Sequence, residues 1–505
     1  MWEQVDNAIQ GLQMILSWGP ILALSIGILI GFLVGAVPGL TVTMTIAMLM
    51  PITFQLSPLL GIPMCIGIWK GGLYSGAIPA ILVSTPGTGG AVATMLDGYP
   101  MAKQGLPTKA LQTSLVASTA GDAFSDLMLL LFMAPIAAIA LLFGAPEYFA
   151  LYLMSLVLIA ALMGQSVVKG LFSAFLGLLI STVGIESVTG SSRFTFGNVN
   201  LMGGITFMTM MIGLFAVGEV LRQAEGGMRD EPTAKGLLTG SKNPEDRLTL
   251  REAWSLRRVI LQSSLIGTGI GVVPGLGAPI AAFLAYAIAQ RSSRHPEAFG
   301  KGSLEGIAAP ESANNAVNGA NFIPLLAFGI PGDIIAAVML GAFLAHGLRP
   351  GPDLFQDHAV VMFAIIWSMV IGNGLLLLFG WFLTHIFAKV ILIPKRILFP
   401  SILAVAVIGS YSLNSNLFDV QCMFFFGFVG YGLTKLGIPL PPLIITALLS
   451  RGTENSLVQS LIVLRGDFTQ FIHHPLALSF FAVAAIVLGL VAVKGPLWKE
   501  QAPES

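Results

Sequence analysis

Charge is what this chain has least of. Of its 505 residues only 10% are Asp, Glu, Lys or Arg, where a soluble protein carries about 25%. The charges that exist cancel, 25 basic against 25 acidic, which removes the electrostatic footprint of nucleic-acid binding. Two cysteines, Cys65 and Cys422, lie in apolar surroundings without metal-ligand spacing and read as small buried hydrophobes. No Lys or Arg precedes Lys70, so a basic signal-peptide n-region is missing, and Glu3 and Asp6 suit a translocated N-terminus. There is no Walker motif, so ATP hydrolysis is not expected within the chain, and neither His-Glu-x-x-His nor Gly-x-Ser-x-Gly occurs. Asp122 and Asp126 lack the Gly-x-Gly-Asp pattern of an intramembrane aspartyl protease, because Thr119 stands two before Gly121. The chain is not expected to be an enzyme.

What fills the space is apolar. Hydrophobic residues make up 55% and mean hydropathy is +0.85. The runs 21–40, 127–143, 149–163, 205–220 and 476–493 approach or reach the roughly 20 residues that span a bilayer. The expected fold is an all-α, polytopic membrane protein.

A Pro-Gly-Leu turn occurs twice inside these runs. Gly31-x-x-x-Gly35-x-x-Pro38-Gly39-Leu40 returns as Gly267-x-x-x-Gly271-x-x-Pro274-Gly275-Leu276. Each copy is followed by a second pair of prolines, Pro79 with Pro86-Gly87 and Pro324 with Pro331-Gly332, at the same spacing. Proline and glycine at membrane depth free backbone groups that lipid cannot satisfy, so such backbone must be buried or line a wet cavity. Paired interruptions in two halves point to a transporter's binding site.

The loops between these motifs alternate in charge. Residues 54–63 carry none, whereas the matching loop holds Arg291, Arg294 and Lys301. Lys103 and Lys109 in 97–109 face Arg349 against Asp353 and Asp357 in 346–358, and Glu147 faces Lys395 and Arg396. Basic loops favour the cytoplasm, so equivalent loops fall on opposite sides and the halves are expected to be inverted-topology repeats. The expected division is a first repeat at 1–221, a charged cytoplasmic linker at 222–258, a second repeat at 259–465, and a last span and tail at 466–505 with the C-terminus inside. Residues 259–290 would measure about 48 Å as one helix, so two half-crossings meeting at Pro274-Gly275 are expected, and likewise over 20–54. Broken helices over 62–96 and 305–344 and about nine ordinary spans complete the inventory, an elevator-type or rocking core. Residues 443–465 are ambiguous, because Arg451 and Glu454 interrupt a short apolar run.

Glu311, Asn315 and Asn318, with Asn314 and Asn321 nearby, form a polar stripe at helical spacing that runs into Gly332-Asp333. Amides suit a carboxylate or a cation, and equally serve as interhelical hydrogen bonds. The position matching Asn315 is Lys70, whose placement in mid-span costs on the order of 3 kcal/mol. Its counter-charge is either an anionic substrate or a buried acid such as Glu311. The break Ser84-Thr85-Pro86-Gly87-Thr88-Gly89-Gly90 offers hydroxyls, free amides and a following helix N-terminus to a carboxylate, whereas Asp333 suits a cation. The substrate candidates are therefore Lys70, Ser84, Thr85, Gly87, Thr88, Asn314, Asn315 and Asn318. The ion candidates are Pro38, Gly39, Thr41, Pro274, Gly275, Gly332 and Asp333. Gly121-Asp122 aligns with Gly372-Asn373, which reads as a packing or gating kink.

At these motifs the chain resembles the TctA family, the large membrane subunit of tripartite tricarboxylate transporters. The matching stretches are Gly35–Leu40, Ile81–Thr88, Asp97–Gly105, Phe322–Gly332, His346–Pro352 and above all Glu305–Asn315. The family often has Tyr-Gly-Gly where this chain has Lys70-Gly71-Gly72. The resemblance implies a bacterial inner-membrane permease working with a small four-span membrane subunit and a periplasmic solute-binding protein. It also implies uptake of a small carboxylate, with sodium or proton coupling and no other cofactor. Coupling agrees with elementary energetics: each negative charge moved into a negative interior costs about 2.3 kcal/mol per 100 mV, so a trianion needs more than three cations. A related tripartite periplasmic-type organic-acid transporter and a re-entrant-loop ion channel are the alternatives.

Overall fold

A computed structural model describes residues 2–37, 39–163, 166–186, 190–225, 245–389 and 395–494. They are almost entirely helical, apart from a two-residue antiparallel pairing of Gly184–Ile185 with Ser192–Arg193. Seven helices among the described residues are long and apolar enough to cross a bilayer: Trp18–Gly35, Pro58–Val83, Pro107–Ala140, Ala145–Leu162, Phe207–Glu225, Ala359–Ala388 and Leu417–Lys435. Large apolar side chains such as Leu131, Phe175, Phe382 and Phe425 are exposed, as befits surfaces facing lipid. This is a multi-pass membrane protein.

The duplicated motifs build duplicated structure. In the first hairpin, arms Trp18–Gly35 and Val42–Phe54 flank the turn; in the second, Arg257–Gly271 and Gly277–Ser292 do. Gly39 and Gly275 take left-handed φ values of 91° and 94° at the two tips, a conformation glycine adopts without steric cost. The four arms are 18, 13, 15 and 16 residues long, about 20–27 Å of helix. Pro38 lies outside the described residues.

Each hairpin lies against a broken helix. The first runs Pro58–Ser75, Ala77–Val83 and, beyond the break, Ala91–Lys103; the second runs Leu304–Phe328 and then Ile334–Ala345. Contact is backbone to backbone. A Cβ on Gly31 would fall 2.5 Å from the Ile68 carbonyl, and one on Gly267 would fall 2.3 Å from that of Ala313. Gly35 meets the Gly72 carbonyl as Gly271 meets that of Val317. These pairs occupy matching positions in the two halves. Ser84 and Gly329 end their arms with φ of 57° and 69°, and the next amides, Thr85 and Ile330, return to the carbonyls of Pro79 and Pro324, both at 3.2 Å, so a left-handed residue closes each arm. Pro79 and Pro324 thus help close the helix ends rather than break the chain themselves. Pro324 sits inside an uninterrupted helix, whereas the helix containing Pro79 begins just past Gly76.

The two broken helices run in opposite senses. Gly61 packs on His346, where a Cβ would lie 2.4 Å from Nε2, so the start of the first meets the end of the second. At the other end Asp97 accepts from the amides of Gly302 and Ser303 at 2.9 and 2.7 Å, and Gln104 donates to the Lys301 carbonyl at 2.7 Å. The polar segment 245–255 docks at that same end, with Asp246 accepting from the Lys109 amide and Lys109 paired with Glu252.

The interrupted run 443–465 is one helix, Leu440–Val463. Its charges are absorbed locally: Glu454 pairs with Arg193 at 2.8 Å, and Arg451 reaches the Gly203 carbonyl. Of the linker expected at 222–258, residues 226–244 lie outside the described residues, as does Lys499; Lys494 ends the last described helix.

Candidate functional site at the two helix breaks

The first break is a meeting point of four elements. The Gly87 amide donates to the Gly76 carbonyl at 3.0 Å, and a Cβ on Gly87 would stand 2.4 Å from the Gly35 carbonyl of the first hairpin. Gly89 lies on Pro279 of the second hairpin. Gly90 lies on Asn314 of the second broken helix, where a Cβ would be 2.0 Å from Oδ1. Only glycine permits this approach.

The polar groups here are underused. Helix Ala91–Lys103 starts at Gly90 with no side chain capping it; the Ala91 amide turns back to the Thr88 carbonyl at 3.2 Å, and the next amides of such a start favour an anion. Asn314 is fully buried and neither its oxygen nor its nitrogen has a hydrogen-bond partner; the Thr88 hydroxyl is buried and also unpartnered. Buried polar groups are usually satisfied, and these two are left open beside the uncapped helix start. Ser84 is spent on the arm's left-handed end, and Thr85 donates to the Val83 carbonyl at 3.3 Å.

The second break is built on the same plan with opposite polarity. The Gly275 amide of the hairpin tip donates to the Gly332 carbonyl at 2.8 Å, and Pro274 precedes it in the same turn. Gly332 abuts the side-chain oxygen of Asn321 and the Gly271 carbonyl. The helix start is already capped: Asp333 Oδ1 accepts from the Ala336 amide at 2.8 Å. A carboxylate there repels a second anion and attracts a cation.

The remaining ion candidates do not join this group. Thr41 caps the second arm of the first hairpin by accepting from the Met44 amide at 3.2 Å, and Gly39 packs against the Gln223 side chain. No group of three or more His, Cys, Asp or Glu suited to a metal ion occurs among the described residues.

The asparagine stripe divides by the neighbour each side chain meets. Asn315 donates to the Glu311 carbonyl at 3.0 Å and Asn318 to Asp122 Oδ1 at 3.3 Å. Glu311 accepts from Thr94 at 2.5 Å and Ser118 at 2.7 Å. Lys70 does not reach Glu311 or the break. Its ammonium donates to Asp122 at 2.8 Å, Asp126 at 2.7 Å and Asn373 at 3.0 Å, which uses all three of its protons. Of the two counter-charges open in the sequence, the structure supplies buried acids. The alignment of Gly121-Asp122 with Gly372-Asn373 marked two of these partners without identifying Lys70 as what they hold. Thr94, Ser118 and Gln223 escaped the sequence reading, since isolated hydroxyls and amides carry no periodic signal.

The profile of the tripartite tricarboxylate transporter TctA family matches residues 21–445. An uncharacterized 52.8 kDa protein in the TAR-I ttuC' 3' region of Agrobacterium vitis is 38% identical over 97% of both chains. A second Agrobacterium vitis protein, from the TAR-II ttuC' 3' region, is 41% identical over 45% of this chain and 92% of its own length. No solved structure matches.

Proposed function

The chain belongs to the tripartite tricarboxylate transporter TctA family, and from that premise we propose that it is the permease subunit of a cation-coupled secondary transporter in the bacterial inner membrane. It imports di- and tricarboxylates handed over by a periplasmic binding protein, with a small four-span membrane subunit as partner. The observation that carries the carboxylate is the uncapped start of Ala91–Lys103 beside the unpartnered Asn314 and Thr88. The anion sits between the first break and the second broken helix, held by Thr88, Asn314 and the open amides at the uncapped start of Ala91–Lys103. The cation belongs at the second break, where Asp333 stands by the Gly275–Gly332 contact.

The two repeats are inverted across the membrane, a reading supported by the opposed broken helices and by the basic loops gathered at one end. Alternating access then follows as each hairpin moves with the broken helix it grips.

Uptake of labelled di- and tricarboxylates into vesicles holding all three proteins is the test. Accumulation should require the binding protein and stop when sodium and proton gradients are both collapsed. Accumulation that survives their collapse, or unitary currents in place of saturable uptake, would overturn the proposal.

A further inference from the structure

The Lys70 network sits between the two helix breaks, joined through Asn318, which lies one turn from Asn314 and three residues from Asn321 on the same helix, and it has an unbalanced charge. Lys70 faces two carboxylates, Asp122 and Asp126, and all three are buried, at most 1% exposed. With every group ionised the cluster is net negative by one, away from water. Asp122 has both oxygens engaged, by Lys70 and Asn318. Asp126 does not: Oδ2 accepts from Lys70 and from Asn373, each at 2.7 Å, while Oδ1 has no partner. Oδ1 faces Gly319, where a Cβ would lie 2.7 Å away. The preceding residue, Asn318, is 2% exposed and its side-chain oxygen is likewise unpartnered.

A buried carboxylate with one bare oxygen and no balancing charge is costly unless it gains a proton or a cation. A metal cation is disfavoured, because the Lys70 ammonium already stands between the carboxylates and repels a second positive charge. A hard cation also takes about six oxygens, and the cluster leaves few free.

We propose that Asp126 carries an exchangeable proton on Oδ1 and that this network is where the transporter binds and releases a coupling proton. The inference rests on the cation-coupled reading and names a proton as one coupling ion. The step is acid–base only: an O–H bond forms on Oδ1 with a proton from water on one side and breaks to water on the other. The position suits coupling, because the network ties the halves together. Lys70 of the first broken helix bonds Asn373 in Ala359–Ala388, and Asp122 in Pro107–Ala140 bonds Asn318 of the second broken helix. Loss of the proton adds a negative charge at the junction and changes how tightly Lys70 is held.

Among the described residues, Lys70 and Asp122 are the charged groups that face Asp126. Other titratable groups on the elements packed around Pro107–Ala140 are engaged elsewhere or lie toward helix ends: Glu311 on Thr94 and Ser118, Asp97 on Tyr286 and the Gly302 and Ser303 amides, with Lys103, Arg257, Arg258, Glu305, Asp357 and His385 near termini.

Infrared difference spectroscopy of the purified full-length chain, titrated with pH in sodium-free and sodium-containing buffer, tests this without substrate or partner proteins. It succeeds or fails independently of carboxylate import. The expected result is a carbonyl-stretch band of a buried protonated acid that is lost on raising pH. The band should be insensitive to sodium, present in Glu311→Gln and absent in Asp126→Asn. Asp126→Glu should retain it at a shifted frequency, which covers the case in which Asp126→Asn does not fold. A wild-type protein with no such band at any pH, or a band unchanged in Asp126→Asn, would overturn the proposal. So would a band that sodium displaces.

Discussion

The amide of Gly275, at the tip of the second hairpin, donates to the carbonyl of Gly332 in the second helix break at 2.8 Å. Hairpin and break are therefore one mechanical unit, tied by backbone rather than by side chains. The first half reaches the same closeness through Gly35 and Gly87. Close backbone approach leaves no room for a methyl group, and this sets the first expectation.

Gly87→Ala and Gly332→Ala should each destabilise the protein by about 1–3 kcal/mol through overpacking, with uptake falling in parallel. A Cβ at these positions would come within 2.4 Å of the Gly35 carbonyl and 2.1 Å of Asn321 Oδ1, respectively. Gly269→Ala is the control, since nothing lies within 4 Å of its Cβ position. Thermal melts in detergent check the set; equal melting of all three would refute the packing account.

Asn314→Asp places a negative charge where the anion is proposed to sit, beside Gly90. A hydrogen bond to a charged group contributes about 1.5–3 kcal/mol, and about 1.4 kcal/mol is tenfold in affinity. Asn314→Ala should thus weaken carboxylate binding by roughly 10- to 100-fold, and Asn314→Asp by more. Counterflow, which needs no driving gradient, reads this directly; unchanged half-saturation in both variants would move the substrate elsewhere.

Much of this architecture was legible because it is written in backbone chemistry. Pro-Gly pairs disfavour continuous helix, so the spacing of Pro38-Gly39, Pro86-Gly87 and their partners in the sequence pointed to the hairpins and breaks. Who pairs with Lys70 was not legible. Asp122, Asp126 and Glu311 are equally buried acids, and choosing among them needs the relation between Pro58–Ser75 and Pro107–Ala140, which no local pattern encodes. The division of 259–290 into two arms meeting at Pro274-Gly275 was legible for the same reason as the breaks, and the arms are 15 and 16 residues long.

Sidedness gives a third expectation. In a chain with Cys65 and Cys422 replaced, Lys103→Cys and Arg294→Cys should label only after the membrane is permeabilised, whereas Gln55→Cys and Arg349→Cys label in intact cells. These four side chains are exposed. Labelling of Gln55→Cys and Arg294→Cys from the same side would exclude inverted repeats.

Acid should release the docked segment 245–255. Partial burial pushes the Glu252 carboxyl up, but hydrogen bonds from Lys109 and Thr249 outweigh it and hold the group below its ordinary value. A carboxylate depressed on folding stabilises above its unfolded pKa, about 4.3, and that contribution is lost as pH falls through the folded value. Hydrogen exchange at Leu248 and Ala253, taken relative to the intrinsic rate at each pH, should therefore accelerate below about pH 4 and be constant between about 6 and 8. Lys109→Met should accelerate it at neutral pH. Protection unaffected by that substitution would show that two other contacts suffice, Asp246 on the Lys109 amide and the Leu248 amide on the Gln112 side-chain oxygen at 2.8 Å.

The Lys70 network yields the sharpest stability test. Removing one partner of a buried ion pair costs about 3–5 kcal/mol because the remaining charge stays buried. Lys70→Gln leaves Asp122 and Asp126 without their cation, so it should lower the melting temperature and the yield of folded protein. Glu311→Gln should not rescue it, since Glu311 hydrogen-bonds Thr94 and Ser118 and does not touch Lys70. Asp122→Asn with Asp126→Asn should, because the cluster is then neutral throughout and the amides keep the shape of the carboxylates. The triple variant is expected to melt near the wild type while losing any function that depends on the charge. If Lys70→Gln alone folds normally and loses only carboxylate binding, the ammonium serves the substrate and the two aspartates are not its essential partners.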